Sequence, residues 1–167
     1  MGELFLADEA LPDGSSRAVV VKRLLLTADA THASLFAREG DALAALDSPH
    51  IVRLYRRGPG WLLLEHVDGL DLGSLLERRA RRGRPLPIPA AMAVVTGLAR
   101  ALDALHTATG PDQRPLGLVH RDVSPGNVLL GRDGAVKLTD LGVVRTAATD
   151  AATVAGVKGT LAYMAPE

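Results

Sequence analysis

Residues 118–130, LVHRDVSPGNVLL, constrain the chain more than any other stretch. A histidine, an arginine and an aspartate stand side by side, a proline and a glycine follow, and an asparagine runs into an apolar stretch. Such a segment reads either as a polar surface turn or as a catalytic loop, and the distances to other polar residues decide between them. Asp122 precedes Asn127 by five positions, and TDLG puts Asp140 thirteen positions beyond Asn127, after a short apolar hairpin. Upstream, VVVK ends on Lys22, and Glu39 follows seventeen positions later. The sequence closes on GTLAYMAPE.

The apolar pattern supplies the elements that carry these residues. ELFLA at 3–7 alternates and leads into the turn-rich LPDGSS, which predicts a strand and a hairpin connection. RAVVVKRL at 17–24 is β-branched and short, the profile of a second strand with mostly buried faces. Over 28–46, Leu35, Phe36, Leu43 and Leu46 recur at helical steps, and the acid Glu39 lies on that apolar stripe. HIVRLYRR and WLLLEHV, separated by GPG, predict a strand pair. A polar helix over 71–82, a proline-rich joint and a strong helix over 89–107 follow. NVLL, the turn GRDG and AVKLT predict a tight hairpin, and the rest from Asp140 is Gly/Ala/Thr-rich and irregular. Strands gather early and helices late, so the expected class is α+β in two lobes: a β-rich lobe with one helix over 1–67 and a helical lobe over 68–167.

Composition narrows the function classes. At 167 residues with 47% apolar content the chain can bury one substantial core. Nineteen basic and nineteen acidic residues cancel, which argues against bulk binding to nucleic acid or to an anionic membrane. With no cysteine there is no disulfide, thiolate metal site or cysteine nucleophile, in keeping with a reducing compartment. No apolar run approaches the roughly 20 residues that span a bilayer, and the N-terminus MGELFLADEA is acidic where a secretory signal is basic. The expected location is the cytoplasm.

HRDVSPGN, TDLG, VVVK with its distant Glu39, and the closing APE stand in the order and spacing of protein-kinase motifs. The chain resembles the protein kinase superfamily over essentially its whole length, and its bacterial Ser/Thr branch most. The resemblance implies ATP and Mg²⁺ as cofactors and a protein as substrate. It gives Lys22 to the α- and β-phosphates with Glu39 as orienting partner, Asp122 to the proton of the attacking hydroxyl, and Asn127 and Asp140 to the metal. It sets Gly2, Leu4, Val20 and Leu129 around the nucleotide, with Glu65 and Val67 where hinge backbone groups bond the base. His120, Leu141 and Leu43 fall in the family's internal apolar column. Arg121 stands where an arginine pairs with a phosphorylated activation segment, with Thr146, Thr149 and Thr153 as acceptors and Thr160 in a structural role. No pattern addresses the oligomeric state.

Taken one at a time these residues have plainer readings: a lysine ending a strand is usually solvated, and an aspartate before Leu-Gly often starts a turn. His32, His50, His66 and His106 read as surface or packing residues, and the arginines of 78–84 as a solvated helix end. The insertion TATGPDQRPLG fits a surface excursion. Against the family pattern, Ser124 replaces the lysine usual two places after the aspartate, Leu141 replaces the phenylalanine of DFG, Gly2 looks like the last glycine of a phosphate loop, and helices expected after APE are not in the sequence. The expectation is therefore a Ser/Thr protein kinase catalytic domain truncated at both ends. The alternative is an inactive relative serving as a binding module.

Overall fold

The computed structural model describes residues 2–141 and Tyr163. Thr146, Thr149, Thr153, Thr160 and the closing APE at 165–167 lie outside the described residues.

Strands β1 (Gly2–Ala10), β2 (Ser16–Leu24), β3 (Leu54–Gly58) and β4 (Trp61–Glu65) form an antiparallel sheet in the order β1-β2-β4-β3. The β1–β2 turn is closed by Asp13, whose carboxylate accepts from the Ser15 N–H at 3.0 Å and the Ser15 hydroxyl at 2.6 Å. The register sets Leu4 opposite Lys22 and Leu6 opposite Val20. On β2 only Val19 is fully buried, so the strand is less covered than its β-branched sequence predicts.

Helix α1 (Ala30–Ala44) starts at Asp29, whose carboxylate accepts from the His32 N–H at 2.8 Å. It buries Phe36, Glu39, Gly40, Ala42 and Leu43. A Cβ on Gly40 would meet Leu62 Cδ2 at 2.9 Å, so this glycine lets the helix settle onto β4. That close approach carries Glu39 to the sheet.

The second lobe opens with β5 (Gly69–Asp71), which pairs with β6 (Val128–Gly131), and β6 pairs with β7 (Val136–Leu138). Helix α2 (Leu72–Ala80) is capped by Asp71, which accepts from the Ser74 N–H at 2.7 Å. Helix α3 (Ile88–His106) turns Val94, Gly97, Ala101 and Leu105 inward. A Cβ on Gly97 would meet Val136 at 2.6 Å, which fixes α3 against β7. Residues 85–99 carry no charge, so α3 is a 19-residue helix of mean hydropathy 1.5. Contrary to the sequence expectation, it is long and apolar enough to cross a bilayer by length and composition; here its buried stripe packs on the hairpin.

The lobes share one core. Ile51 forms a parallel bridge to Leu138; the Val52 N–H donates to the Leu138 carbonyl at 3.0 Å and the Leu138 N–H to the His50 carbonyl at 2.8 Å. Thus residues 50–52, expected within a sheet strand, tie the first lobe to β7, and regular pairing begins only at Leu54. Strand β5 is the element with no sequence expectation behind it. The remaining elements fall within a few residues of their expected bounds, and the two-lobed α+β class holds.

Candidate active site

A cavity of about 540 Å³ lies where the sheet, α1 and the β6–β7 hairpin meet. That is room for a nucleotide-sized ligand. Every residue expected around a nucleotide lines it: Gly2, Leu4, Val20, Lys22, Glu65, Val67 and Leu129. Glu39, Asn127 and Asp140 join them. Asp122 is not among the lining residues and stands on the adjoining loop.

Lys22 is the electrostatic centre. Its Nζ donates to Glu39 Oε1 at 2.6 Å and Oε2 at 2.8 Å, and to Asp140 Oδ1 at 2.9 Å. Three elements converge here: β2 supplies the lysine, α1 the glutamate, and the segment after β7 the aspartate. The Glu39 side chain is only 3% exposed and that of Lys22 14%, whereas that of Asp140 is 54% exposed. Burial works against the Lys22 charge, but the two carboxylates outweigh it and hold the ammonium above the usual lysine range. Burial pushes the Glu39 carboxyl up, and Lys22 pulls it back only in part. The acid on the apolar stripe of α1 is thus explained: it is buried because it is paired. Asp140 takes a left-handed φ of 62°, tolerable for an aspartate, which turns the chain beside the cavity.

The loop holding Asp122 is built from short-range bonds. Asn127 Nδ2 donates to the Asp122 carbonyl at 2.8 Å and to Asp122 Oδ2 at 3.1 Å. The Asn127 N–H donates to the Ser124 carbonyl at 3.0 Å, closing a 3₁₀ turn over Pro125–Asn127. Its amide nitrogen being engaged, Asn127 has its side-chain oxygen to offer a cation. His120 is buried under the loop. The Asp122 N–H donates to Nδ1 at 3.3 Å, so the proton sits on Nε2, which donates to the Thr139 carbonyl at 3.1 Å. Burial lowers the His120 pKa, consistent with a neutral ring. The ring links the backbone of Asp122 to the residue preceding Asp140. Arg121, with φ 67°, gives the loop its sharp turn. Leu43 and Leu141 are buried in the shared core.

Ser124, in the place of a lysine, is 8% exposed and absent from the cavity lining. Glu65 directs its carboxylate to Lys137 Nζ at 3.0 Å and accepts from the Arg53 N–H at 3.1 Å. Sequence reasoning missed Leu64, Asp71 and Thr139, and it read His32 and His66 as surface or packing residues; all five line the cavity. Asp71 carried a signal, since an aspartate three residues before Ser74 at a helix start marks a cap. The others are brought in by packing.

A model of the protein kinase domain matches residues 6–167. The chain belongs to the protein kinase family. The chain is 35% identical over 174 residues to "Tyrosine-protein kinase MasK" of Myxococcus xanthus, covering 100% of this chain and 27% of that protein. It is 35% identical over 178 residues to "Serine/threonine-protein kinase PknF" of Mycobacterium tuberculosis, covering 100% of this chain and 35% of the relative. "Serine/threonine-protein kinase PknH" of Mycobacterium bovis is 35% identical over 176 residues, with 100% and 27% covered. The chain therefore spans about a quarter to a third of the length of the curated relatives it matches.

Proposed function

We propose that the chain carries the nucleotide site and catalytic loop of a Ser/Thr protein kinase, with residues 1–67 as the first lobe and 68–167 as part of the second. The observation that carries this reading is Lys22 bonded at once to Glu39 and Asp140 in a cavity rimmed by Asn127. Lys22 offers an ammonium to phosphate and Asp140 an exposed carboxylate to a cation that would accompany it, in a cavity where a base can lie against Leu4, Val20 and Leu129. Lys22 binds the α- and β-phosphates, and Glu39 keeps its ammonium aimed at them. Glu65 and Val67 meet the base edge through the backbone, and Gly2 leaves space for the chain to approach the phosphates.

The donor set also suits Mg²⁺. Asp140 and Asn127 offer oxygen ligands only, and the described residues hold no group of three or more His, Cys, Asp or Glu gathered for a metal. Mg²⁺ needs no more than one or two protein oxygens when phosphates supply the rest. When bound, Mg²⁺ neutralises charge developing on the transferred phosphoryl group. Asp122 orients the substrate hydroxyl and takes its proton as the oxygen–γ-phosphorus bond forms and the bond to the β,γ-bridging oxygen breaks, leaving ADP. His120 and Asn127 position Asp122 without touching substrate. The need for ATP sets the domain in the cytoplasm, with a protein as substrate.

GTLAYMAPE with Thr160 favours Ser/Thr over Tyr as acceptor, and two of the three relatives named above carry Ser/Thr in their names. One observation favours a second reading: Ser124 brings no positive charge and does not line the cavity, so the phosphate clamp is weaker, as in an inactive nucleotide-binding module. Incubating the full-length protein with γ-labelled ATP, Mg²⁺ and a mixed protein substrate, followed by phosphoamino-acid analysis, decides between them. The expected result is label on serine and threonine that disappears in Asp122→Asn. Nucleotide binding with no transferred label would establish the inactive module, and label on tyrosine alone would overturn the acceptor assignment.

A further inference from the structure

Residues 78–84, RRARRGR, hold five of the nineteen basic residues of the chain, and Glu77 is the only acid between Asp71 and Asp103. The arginines cluster at the C-terminal end of α2 and in the turn after it. The fold accounts for part of this charge. A helix C-terminus favours cations within its last turn, which covers Arg78 and Arg79. Arg79 also donates to the Pro85 carbonyl from Nε at 3.2 Å and Nη2 at 2.6 Å, bracing the turn. Arg81 reaches Glu77 at 3.4 Å, with both side chains strongly exposed. Among the described residues, Arg78, Arg82 and Arg84 make no ion pair. Arg82 and Arg84 lie beyond the C-cap Arg81, in a turn whose Arg82 and Arg84 N–H groups both donate to the Arg79 carbonyl at 3.0 Å. Three exposed arginines thus lie within seven residues of one another and make no ion pair among the described residues.

Their position relates them to the cleft. Asp71, the N-cap of α2, lines the cavity. The first turn of α2 packs on the 3₁₀ turn beside Asp122, where a Cβ on Gly73 would come within 3.6 Å of the Gly126 nitrogen. At 1.5 Å per residue, α2 sets Arg78 about 8 Å and the C-cap Arg81 about 12 Å along its axis from Gly73, beside that loop. An extended peptide covers this distance in about four residues.

We infer that the arginine cluster at the end of α2 docks an acidic segment of the protein substrate, about four or more residues from the phosphoacceptor. The inference rests on the kinase reading above and adds a substrate class to it. Guanidinium forks match carboxylates in pairs, and a tethered second contact raises the effective concentration of the acceptor hydroxyl at Asp122. A chain with no net charge, five of whose nineteen basic residues form one short cluster, lacks the strong basic excess that nucleic-acid binding draws on.

The test uses the full-length protein and pairs of peptides with one serine, identical except that one bears an Asp/Glu block and the other Asn/Gln, on either side of the serine. Binding is read by fluorescence anisotropy and turnover by steady-state kinetics, in the parent and in Arg78→Gln/Arg82→Gln/Arg84→Gln. In the parent, one acidic peptide should show a KM about tenfold below its neutral twin with equal kcat, as three exposed pairs allow, and the advantage should shrink with salt. The triple variant should lose that advantage while handling the neutral peptide unchanged. An acidic peptide no better than the neutral one in the parent overturns the inference. So does a variant that loses both peptides equally, or one that loses binding to phosphatidylserine vesicles or to RNA with peptide discrimination intact. Acid-dependent binding without phosphate transfer would uphold the docking surface and remove the kinase activity, whereas transfer without acid preference would do the reverse.

Discussion

Lys22 and Glu39 meet across 17 positions and Lys22 and Asp140 across 118, whereas Asn127 reaches Asp122 across 5 and His120 reaches Thr139 across 19. The first constellation exists only while three separate elements pack together, and charge attraction joins them. The second is assembled within one loop and its neighbouring strand, largely through bonds to backbone groups. The difference assigns them different tasks. A triad built from packing depends on where α1 sits against the sheet, while a loop braced by its own backbone fixes Asp122 locally. Positioning of this kind is what phosphoryl transfer asks of a protein.

The largest expected effect breaks the first constellation. Lys22→Met leaves Glu39 buried without its cation, which costs about 3–5 kcal/mol, and chemical denaturation should register the loss together with lost ATP binding. Adding Glu39→Leu should recover most of the stability and none of the binding. If the single variant were as stable as the parent, the pair would not be holding α1 to the sheet.

A smaller loss is expected from the loop. Asn127→Ala removes the 2.8 Å hydrogen bond to the Asp122 carbonyl, at about 0.5–1.5 kcal/mol. Stability curves should show it, and the Lys22–Glu39 contact, followed by the position of α1, should be unaffected. A shift of α1 in this variant would mean the two constellations are not independent.

These elements differ in how legible they were. The 17-residue interval from Lys22 to Glu39 and the 5-residue interval from Asp122 to Asn127 could be read directly, because residue type and spacing carry the chemistry. The acid on the apolar stripe of α1 was itself the sign of a buried partner. Strand β5 could not be read, since three residues have no alternation and become a strand only through pairing with β6. Residues 50–52 were misread as sheet because their β-branched character serves a parallel bridge to β7 instead. His32, Leu64 and Thr139 reach the cavity through packing between elements remote in sequence, which no local pattern records.

His120 offers a pH handle on the loop. Burial depresses its folded-state pKa below the ordinary value of 6.5, so the unfolded chain binds a proton that the folded chain resists. Stability is therefore full above about pH 6.5 and falls as pH drops through that value towards the folded pKa, with a slope of at most about 1.4 kcal/mol per pH unit for one proton. His120→Phe should flatten that slope in urea titrations between neutral and mildly acidic pH; an unchanged slope would assign the dependence elsewhere. The smallest effect is expected at the start of α2, where Asp71→Ala removes the cap on Ser74 and costs about 1 kcal/mol, visible as a lower thermal midpoint.

The central claim is that Asp140 holds Mg²⁺ with the nucleotide while Asp122 serves the proton. Calorimetric titration of ATP into the full-length protein, with and without Mg²⁺, tests it in three proteins: the parent, Asp140→Asn and Asp122→Asn. The account predicts that Mg²⁺ tightens ATP binding in the parent and in Asp122→Asn, and that this gain is lost in Asp140→Asn. An Asp140→Asn protein that keeps its Mg²⁺-dependent affinity would contradict it.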